Sequence, residues 1–287
     1  MLEIVLDALW DTLRAFPFLL VSYILIELIE QRTNFAQNKN ILQGRLAPLI
    51  GSATGIIPQC GFSVMAAKLY DKSLIKTGTL LAVFLATSDE ALIILLSSIS
   101  GATAIMPLVL IKLIVAVGIG YLVNFLLSGE KLQEYYGEIH AHSCGREHEG
   151  GNFRVLFLSP LLHALKIALY LLAVNLIFGF IISEIGEDKL ASAMIGGAYF
   201  QPLITAAIGL IPNCASSTII TATYINGGIL FGSLVSGLCA NAGLGLMIIF
   251  KNTKKLKRNI LLVLTLFGVA AAAGLVTNCV LILCKLI

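Results

Sequence analysis

The sequence predicts an all-α integral membrane protein made of two inverted repeats, each with three spanning helices and one re-entrant hairpin broken at a proline. Three observations support this fold class. The 287-residue chain is 58% hydrophobic and only 12% charged, whereas soluble domains carry about 25% charged residues. Residues 48–94 return without a gap at 202–248, with 16 identities in 47 positions. The loops around the two copies also differ in charge, which indicates opposite insertion.

Six apolar runs are long enough to cross a bilayer, which takes about 20 residues. We predict spans near residues 13–29, 77–98, 102–127, 156–182, 229–250 and 259–287. They divide the chain into an N-terminal repeat (1–127), a linker (128–154) and a C-terminal inverted repeat (155–287). Counting the two arms of each hairpin separately gives five plus five helices.

Two further apolar segments, 46–70 and 191–224, are each interrupted at the middle by a Pro-Gln-Cys or Pro-Asn-Cys sequence. Proline removes a backbone donor and clashes with the preceding turn, so each segment should form two half-helices with an unwound tip. An arm of ten residues is about 15 Å long, half of a ~30 Å hydrocarbon core. The two tips should therefore meet near the middle of the membrane. A pair of kinked spanning helices is the alternative.

The distribution of positive charge predicts the orientation, because cytoplasmic loops are enriched in lysine and arginine. Basic residues flank the first hairpin on both sides: Arg32, Lys39, Arg45, Lys68, Lys72 and Lys76. The loop before the second hairpin is acidic, and the loop after it carries no charge. We therefore expect the first hairpin to enter from the cytoplasm, the second from outside, and the linker to be cytoplasmic. The expected location is the inner membrane.

The hairpin tips are the predicted substrate site, since paired thiols, amides and hydroxyls suit a soft metal ion or metalloid. The candidate substrate-binding residues are Gln59, Cys60, Ser63, Asn213, Cys214, Ser216, Ser217 and Asn241. Cys60 and Cys214 are also candidate metal ligands, although each could instead be a small residue that allows close packing. Helix N-termini at the tips favour anions, and helix C-termini favour cations. Helix dipoles alone therefore do not decide whether the substrate is an anion or a cation.

Asp89 and Glu90 give the strongest single signal, because they lie in the middle of a predicted apolar span. A carboxylate at that depth costs about 2.5–3.5 kcal/mol and usually marks an ion site or a proton relay. We predict that both acids couple transport to protons and bind the metal. The alternative is a buried ion pair with Lys112 or Lys166. The second copy lacks both acids, so the predicted chemistry is asymmetric.

Two weaker patterns complete the candidate set. His163 and Lys166 share one face of a predicted span, where His163 could relay protons or be a satisfied buried histidine. The linker carries a loose zinc-type pattern formed by His140, His142, Cys144 and His148. Such flexible tracts also bind metals weakly or not at all.

Several motifs together resemble one family. They are Pro17-Phe18-Leu19 in the first span, Ile57-Pro58-Gln59-Cys60-Gly61-Phe62-Ser63 at the first tip, Ala86-Thr87-Ser88-Asp89-Glu90-Ala91, and the His/Cys linker before Gly150-Gly151-Asn152. The chain resembles the ten-transmembrane heavy-metal exporters, also labelled manganese transporters or arsenic-efflux permeases. The resemblance implies export of a metal or metalloid from a prokaryotic cytoplasm.

We therefore expect a secondary-active, proton-coupled exporter of a metal ion or metalloid in the inner membrane. Thiols would suit arsenite or zinc, whereas manganese prefers oxygen ligands such as carboxylates and amides. A transporter of a small organic or inorganic anion is the alternative. No nucleotide-binding loop and no nucleophile–base pair is visible, which argues against an ATP-driven pump and an enzyme. No cofactor and no nucleic acid is expected. The expected partners are the transported species and the lipid bilayer, with a homodimer compatible with the sequence.

Overall fold

The computed structural model describes residues 44–57, 60–71, 73–88, 91–127, 129–130, 159–195, 197, 199–251 and 256–284, together with eight single residues between Leu6 and Leu20. Its regular structure within these ranges is helical, which confirms the all-α class. The predicted first span, 13–29, lies almost wholly outside them.

In the described part of the chain, five helices belong to the first unit, and two more helices follow them before the second unit. They are α1 (Ala47–Gly55), α2 (Cys60–Asp71), α3 (Thr77–Ala86), α4 (Ala91–Leu96), α5 (Ile99–Leu126), α6 (Ser159–Ile185) and α7 (Glu187–Met194). Pro48 occupies the first turn of α1, where the missing N–H would have had no helical partner. Ser98 begins α5 by accepting a hydrogen bond from the Gly101 N–H at 3.0 Å.

The second unit repeats the first five helices. It contains α8 (Gln201–Gly209), α9 (Cys214–Ile225), α10 (Phe231–Ala240), α11 (Gly245–Lys251) and α12 (Leu256–Leu283). The first residues of α8 to α11 stand 154 positions after those of α1 to α4, which is the offset of the sequence repeat. The duplicated sequence thus gives a duplicated set of helices.

Packing within the two units is also repeated. Helix α3 packs between α1 and α5, and α10 packs between α8 and α12. The Gly78 N–H donates to Asn124 Oδ1 at 3.0 Å, and the Gly232 N–H donates to Asn278 Oδ1 at 2.9 Å. Each asparagine therefore satisfies one of the free N–H groups at the start of the central helix.

The same two glycines allow a close helix approach in each unit. A Cβ atom added to Gly78 would lie 2.3 Å from the Gly120 carbonyl oxygen, and one added to Gly232 would lie 2.4 Å from that of Gly274. Small residues at helix crossings let backbones approach in this way in membrane proteins. The pairs α3–α5 and α10–α12 consequently pack backbone against backbone.

The chain turns back between α1 and α3. These two helices run in the same direction, since the Ser88 N–H after α3 donates to the Gly55 carbonyl at the end of α1 (3.2 Å). Nearer its start, α1 packs through Gly51 against Thr79 and Val83. Helix α2 must therefore carry the chain back to the level where α1 began. Each proline-interrupted segment forms two helices, as predicted.

The predicted spans 77–98 and 229–250 are each formed by two helices and not by one continuous helix. The first is interrupted between Ala86 and Ala91, where Thr87 adopts ψ 126°. The second is interrupted between Ala240 and Gly245, where Gly243 takes the left-handed φ of 57°. Both segments remain long enough to span a membrane.

Four segments of the described chain are long and apolar enough to cross a membrane: Thr77–Leu96, Gly101–Leu126, Phe231–Lys251 and Leu256–Leu283. All ten residues of α3 and nine of α10 are buried, so these helices form the centre. Outer helices expose large apolar side chains, such as Phe125 (79%) on α5 and Leu261 (65%) on α12. This is the arrangement of a multi-pass membrane protein, with lipid as the solvent of the outer helices.

Candidate functional site

The interruptions of the two central spans meet at one narrow crevice. It is lined by Thr87, Ser88, Ala91, Leu92, Lys112, Leu238 and Asn241. Thr87 and Asn241 occupy equivalent positions in the repeat and directly follow α3 and α10. The duplicated halves thus bring equivalent residues to one place in the interior, which makes the crevice the candidate site.

Lys112 joins the two interruptions. It lies on α5, is 1% exposed, and its Nζ donates to the Thr87 carbonyl at 2.5 Å and to the Leu238 carbonyl at 2.8 Å. Carbonyls in the last turn of a helix have no helical donor, and the C-terminal end of a helix is partially negative. The ammonium group therefore satisfies α3 and α10 at once. From the sequence, Lys112 was a candidate partner for the acids only, and its depth in an apolar helix was the available signal for a larger role.

Asn241 shapes the second interruption. Its Oδ1 accepts a hydrogen bond from the Gly243 N–H at 2.9 Å, which stabilises the turn that ends α10. Asn241 is 3% exposed, and its Nδ2 has no hydrogen-bond partner among the residues that the structure describes. A buried donor without a partner costs about 1–3 kcal/mol. Asn241 was predicted as a substrate-binding residue, and an unpaired donor on the crevice is consistent with that role.

The second hairpin tip uses its polar groups locally. Asn213 Oδ1 accepts from the Ala215 N–H at 3.2 Å and so caps the start of α9. The Ser216 hydroxyl donates to the Asn213 carbonyl at 2.7 Å, and the Ser217 hydroxyl donates to the Cys214 carbonyl at 2.8 Å. Both hydroxyl donors are therefore engaged, and only their oxygen lone pairs could contact a substrate.

Each hairpin contacts the interrupted span of the other unit. Helix α2 packs against α11, and α9 packs against α4. Buried Ser63, near the first tip, approaches the start of α11 so closely that a Cβ on Gly245 would lie 2.6 Å from the Ser63 carbonyl. The tips and the interruptions thus belong to one central region of the molecule.

Several predicted residues lie outside the described part of the chain. These are Gln59, Asp89, Glu90, His140, His142, Cys144 and His148, and the side chains of Cys60, His163 and Lys166. Their assigned roles stay predictions. Among the residues that the structure does describe, no three His, Cys, Asp or Glu side chains form a group suited to a metal ion. Of the cysteines with described side chains, Cys239, Cys279 and Cys284 are free thiols.

A second polar cluster lies at one end of the helix bundle and was not predicted. Glu130, after α5, accepts hydrogen bonds from the N–H and the hydroxyl of Thr77 at 3.0 Å. Arg258, at the start of α12, pairs with Glu130 and donates to the Thr77 hydroxyl at 2.7 Å. Its guanidinium also lies 4.9 Å from the centre of the Tyr70 ring. The cluster ties the second unit to the start of α3, and only the tertiary fold brings these residues together.

Comparison with known proteins identifies a family. Residues 1–163 match the model of the family described as "Putative, 10TM heavy-metal exporter". No curated protein and no solved structure matches the chain. The matched part includes the first hairpin, the first interrupted span and Lys112, and it covers more than half of the sequence. The chain, a multi-pass membrane protein with its polar crevice at the centre, belongs to this heavy-metal exporter family.

Proposed function

We propose that this protein is a secondary-active exporter that moves a metal ion or metalloid through the central crevice in exchange for protons. One observation carries the proposal: equivalent residues of a duplicated unit, Thr87 and Asn241, meet at a buried polar crevice where both central spans are interrupted. Interrupted helices near the middle of the bilayer are the usual substrate sites of transporters built from repeats. Irregular backbone at that depth is tolerated where it lines a cavity.

The proposal includes an inverted arrangement of the two units, and the contacts of α12 support it. Arg258 places the start of α12 beside Thr77, where α3 begins. Helix α11 leads into α12 and itself starts near Ser63 at the first tip, in the interior. The α10–α11 span would then finish at the end of the bundle that carries Arg258 and Thr77, whereas the α3–α4 span starts at that end. Opposite directions of equivalent spans are what an inverted repeat requires.

Positive charge supports a cytoplasmic position for the end that carries Arg258. Lys68 and Lys76 flank the first hairpin at that end, and Lys251 ends α11 there. The inner membrane, the cytoplasmic linker and a homodimer remain parts of the proposal. The two hairpins would be re-entrant, each returning to the face from which it entered.

Asp89 and Glu90 are the proposed coupling groups. They follow Ser88, which lines the crevice. A carboxylate that binds a cation must give up its proton, so metal binding and proton release are linked. Manganese would use these carboxylates with Gln59 and Asn213, whereas arsenite or zinc would use Cys60 and Cys214.

Transport into inside-out membrane vesicles with an acidic lumen tests the function. We expect uptake of one of manganese, zinc or arsenite that stops when the pH gradient is collapsed. Asp89→Asn should abolish uptake, whereas Ser97→Ala, at an exposed position, should leave it unchanged. No uptake of any of them by vesicles that contain folded protein would refute the exporter proposal. Uptake by Asp89→Asn at the wild-type rate would refute the coupling role.

The Asn241 Nδ2 lacks a partner within the described part of the chain. This favours a second candidate, a transporter of a small anion, because such a donor suits an anionic or oxygen-bearing ligand. Asn241→Asp separates the two, since it can keep the acceptor for Gly243 while replacing the donor. Thermal stabilisation by the ligand would be measured on purified protein. For an anion, the variant should lose stabilisation. For a metal cation, stabilisation should be retained or increased.

A further inference from the structure

We propose that α3 and α10 together form a cation site made of backbone carbonyls and that the chain fills this site with its own ammonium group, Lys112. The inference concerns how the two units are held together, and it does not depend on which substrate is transported. In this proposal Lys112 is a positioning residue: it fixes the two helix ends that border the crevice.

The geometry of the carbonyls supports a cation site. Thr87 caps α3, and Leu238 belongs to the last turn of α10, so both carbonyls stand at C-terminal helix ends. Each such end carries roughly half a negative charge. Two converging ends therefore attract a cation. The distance of 2.8 Å from Nζ to the Leu238 oxygen is that of a charge-assisted hydrogen bond, and the distance of 2.5 Å to the Thr87 oxygen is shorter still.

The burial of Lys112 supports the same conclusion. The side chain is 1% exposed, and it reaches from α5 of the first unit to a carbonyl of the second. A lysine is rarely buried unless its charge is paired. A side chain that served only to fill space at this position would be apolar, since a buried ammonium without partners costs several kcal/mol.

The repeat supplies an internal comparison. The position equivalent to Lys112 in the second unit is Leu266 on α12, which is fully buried. Both units thus bury a long side chain at this level, but only one of them carries a charge. One ammonium group, that of Lys112, contacts the ends of both central helices.

Chemical rescue tests the proposal. Lys112→Ala removes a group with the shape of n-propylammonium, and its thermal midpoint in detergent should fall by about 5–10 °C. Adding n-propylammonium should restore at least half of that loss, whereas neutral 1-propanol should not. Leu108→Ala, at a fully buried position on the same helix, is the matched control. It should lose stability without being rescued by the amine.

Two further variants keep the test decisive if Lys112→Ala does not fold. Lys112→Arg keeps a charged donor and should retain more stability than Lys112→Met, which has a similar length and no charge. A Lys112→Met protein as stable as the wild type would overturn the proposal. Equal rescue of Lys112→Ala by 1-propanol, or no rescue by the amine, would also overturn it, because the site would then not recognise a cation.

Discussion

Replacing Gly232 by alanine should destabilise the protein far more than the same change at Gly268. A Cβ on Gly232 would lie 2.3 Å from Asn278 Oδ1 and 2.4 Å from the Gly274 carbonyl oxygen, whereas a Cβ on Gly268 meets no atom within 4 Å. The Gly274 oxygen belongs to the backbone of α12, so it can move only if α10 and α12 separate. Such a separation would also weaken the hydrogen bond from the Gly232 N–H to Asn278.

The expected magnitude follows from three effects. Forcing an extra methyl group into a packed interface costs about 1–3 kcal/mol, and the weakened hydrogen bond costs about 1 kcal/mol. Alanine recovers about 1 kcal/mol in helix propensity. The net loss for Gly232→Ala is about 1–3 kcal/mol, or a midpoint lower by roughly 3–10 °C. Gly268→Ala shows only the propensity effect and should be neutral or slightly stabilising.

The assay is heating of purified protein in mild detergent, followed by size-exclusion chromatography of what remains monodisperse. The duplicated unit provides an independent repeat of the experiment. Gly78→Ala should behave like Gly232→Ala, because its Cβ would lie 2.3 Å from the Gly120 oxygen, and Gly118→Ala is its matched control with no atom within 4 Å. Equal losses at Gly232 and Gly268, or no loss at Gly232, would refute the argument from close helix approach.

Three further predictions concern polar contacts at helix ends. Glu130→Gln and Arg258→Gln should each lower the thermal midpoint. The double variant should lose less stability than the two single variants together, with a coupling energy of about 1 kcal/mol or more. Strictly additive losses would mean that the two side chains do not interact. Asn213→Ala should cost about 1 kcal/mol of stability by removing the cap of α9, and Asn213→Asp should cost less; equal costs would contradict the capping role. Gln201→Leu should lower the free energy of unfolding by about 2 kcal/mol, because Gln201 Oε1 accepts a hydrogen bond from the Leu230 N–H at 2.9 Å just before α10. Gln201→Glu keeps the acceptor and should retain part of that stability.

The duplicated helices were predictable because their signals are local. Proline at the middle of segments 46–70 and 191–224 predicted two half-helices in each, and the structure has α1 with α2 and α8 with α9. Asparagine is a favoured N-cap residue, and Asn213 caps the helix that begins at Cys214. The family resemblance was confirmed by the comparison, and it too rested on short motifs.

The interruptions of the central spans were not predicted because their partners are distant in the sequence. Thr87 and Ser88 lie in an apolar run without proline, and the backbone there leaves the helix with support from Gly55 and from Lys112. Intramembrane polar groups can end a helix when other parts of the protein satisfy the freed backbone. The Asn-Ala-Gly sequence that begins at Asn241 was a usable signal for the second interruption. The contacts of Lys112 could not be read from the sequence, because periodicity places it on α5 and does not name the facing carbonyls.

Each unit packs two of its helices against helices of the other unit, and this affects how the chain folds during synthesis. Helix α2 packs against α11, and α4 packs against α9, yet α11 leaves the ribosome about 10–35 s after α2 at typical elongation rates. During that interval the nascent first half stays in the bilayer with its inner surface unpaired. Neither half is therefore a complete folding unit, and a chain terminated before Gly245 would reach the quality-control proteases with that surface still open.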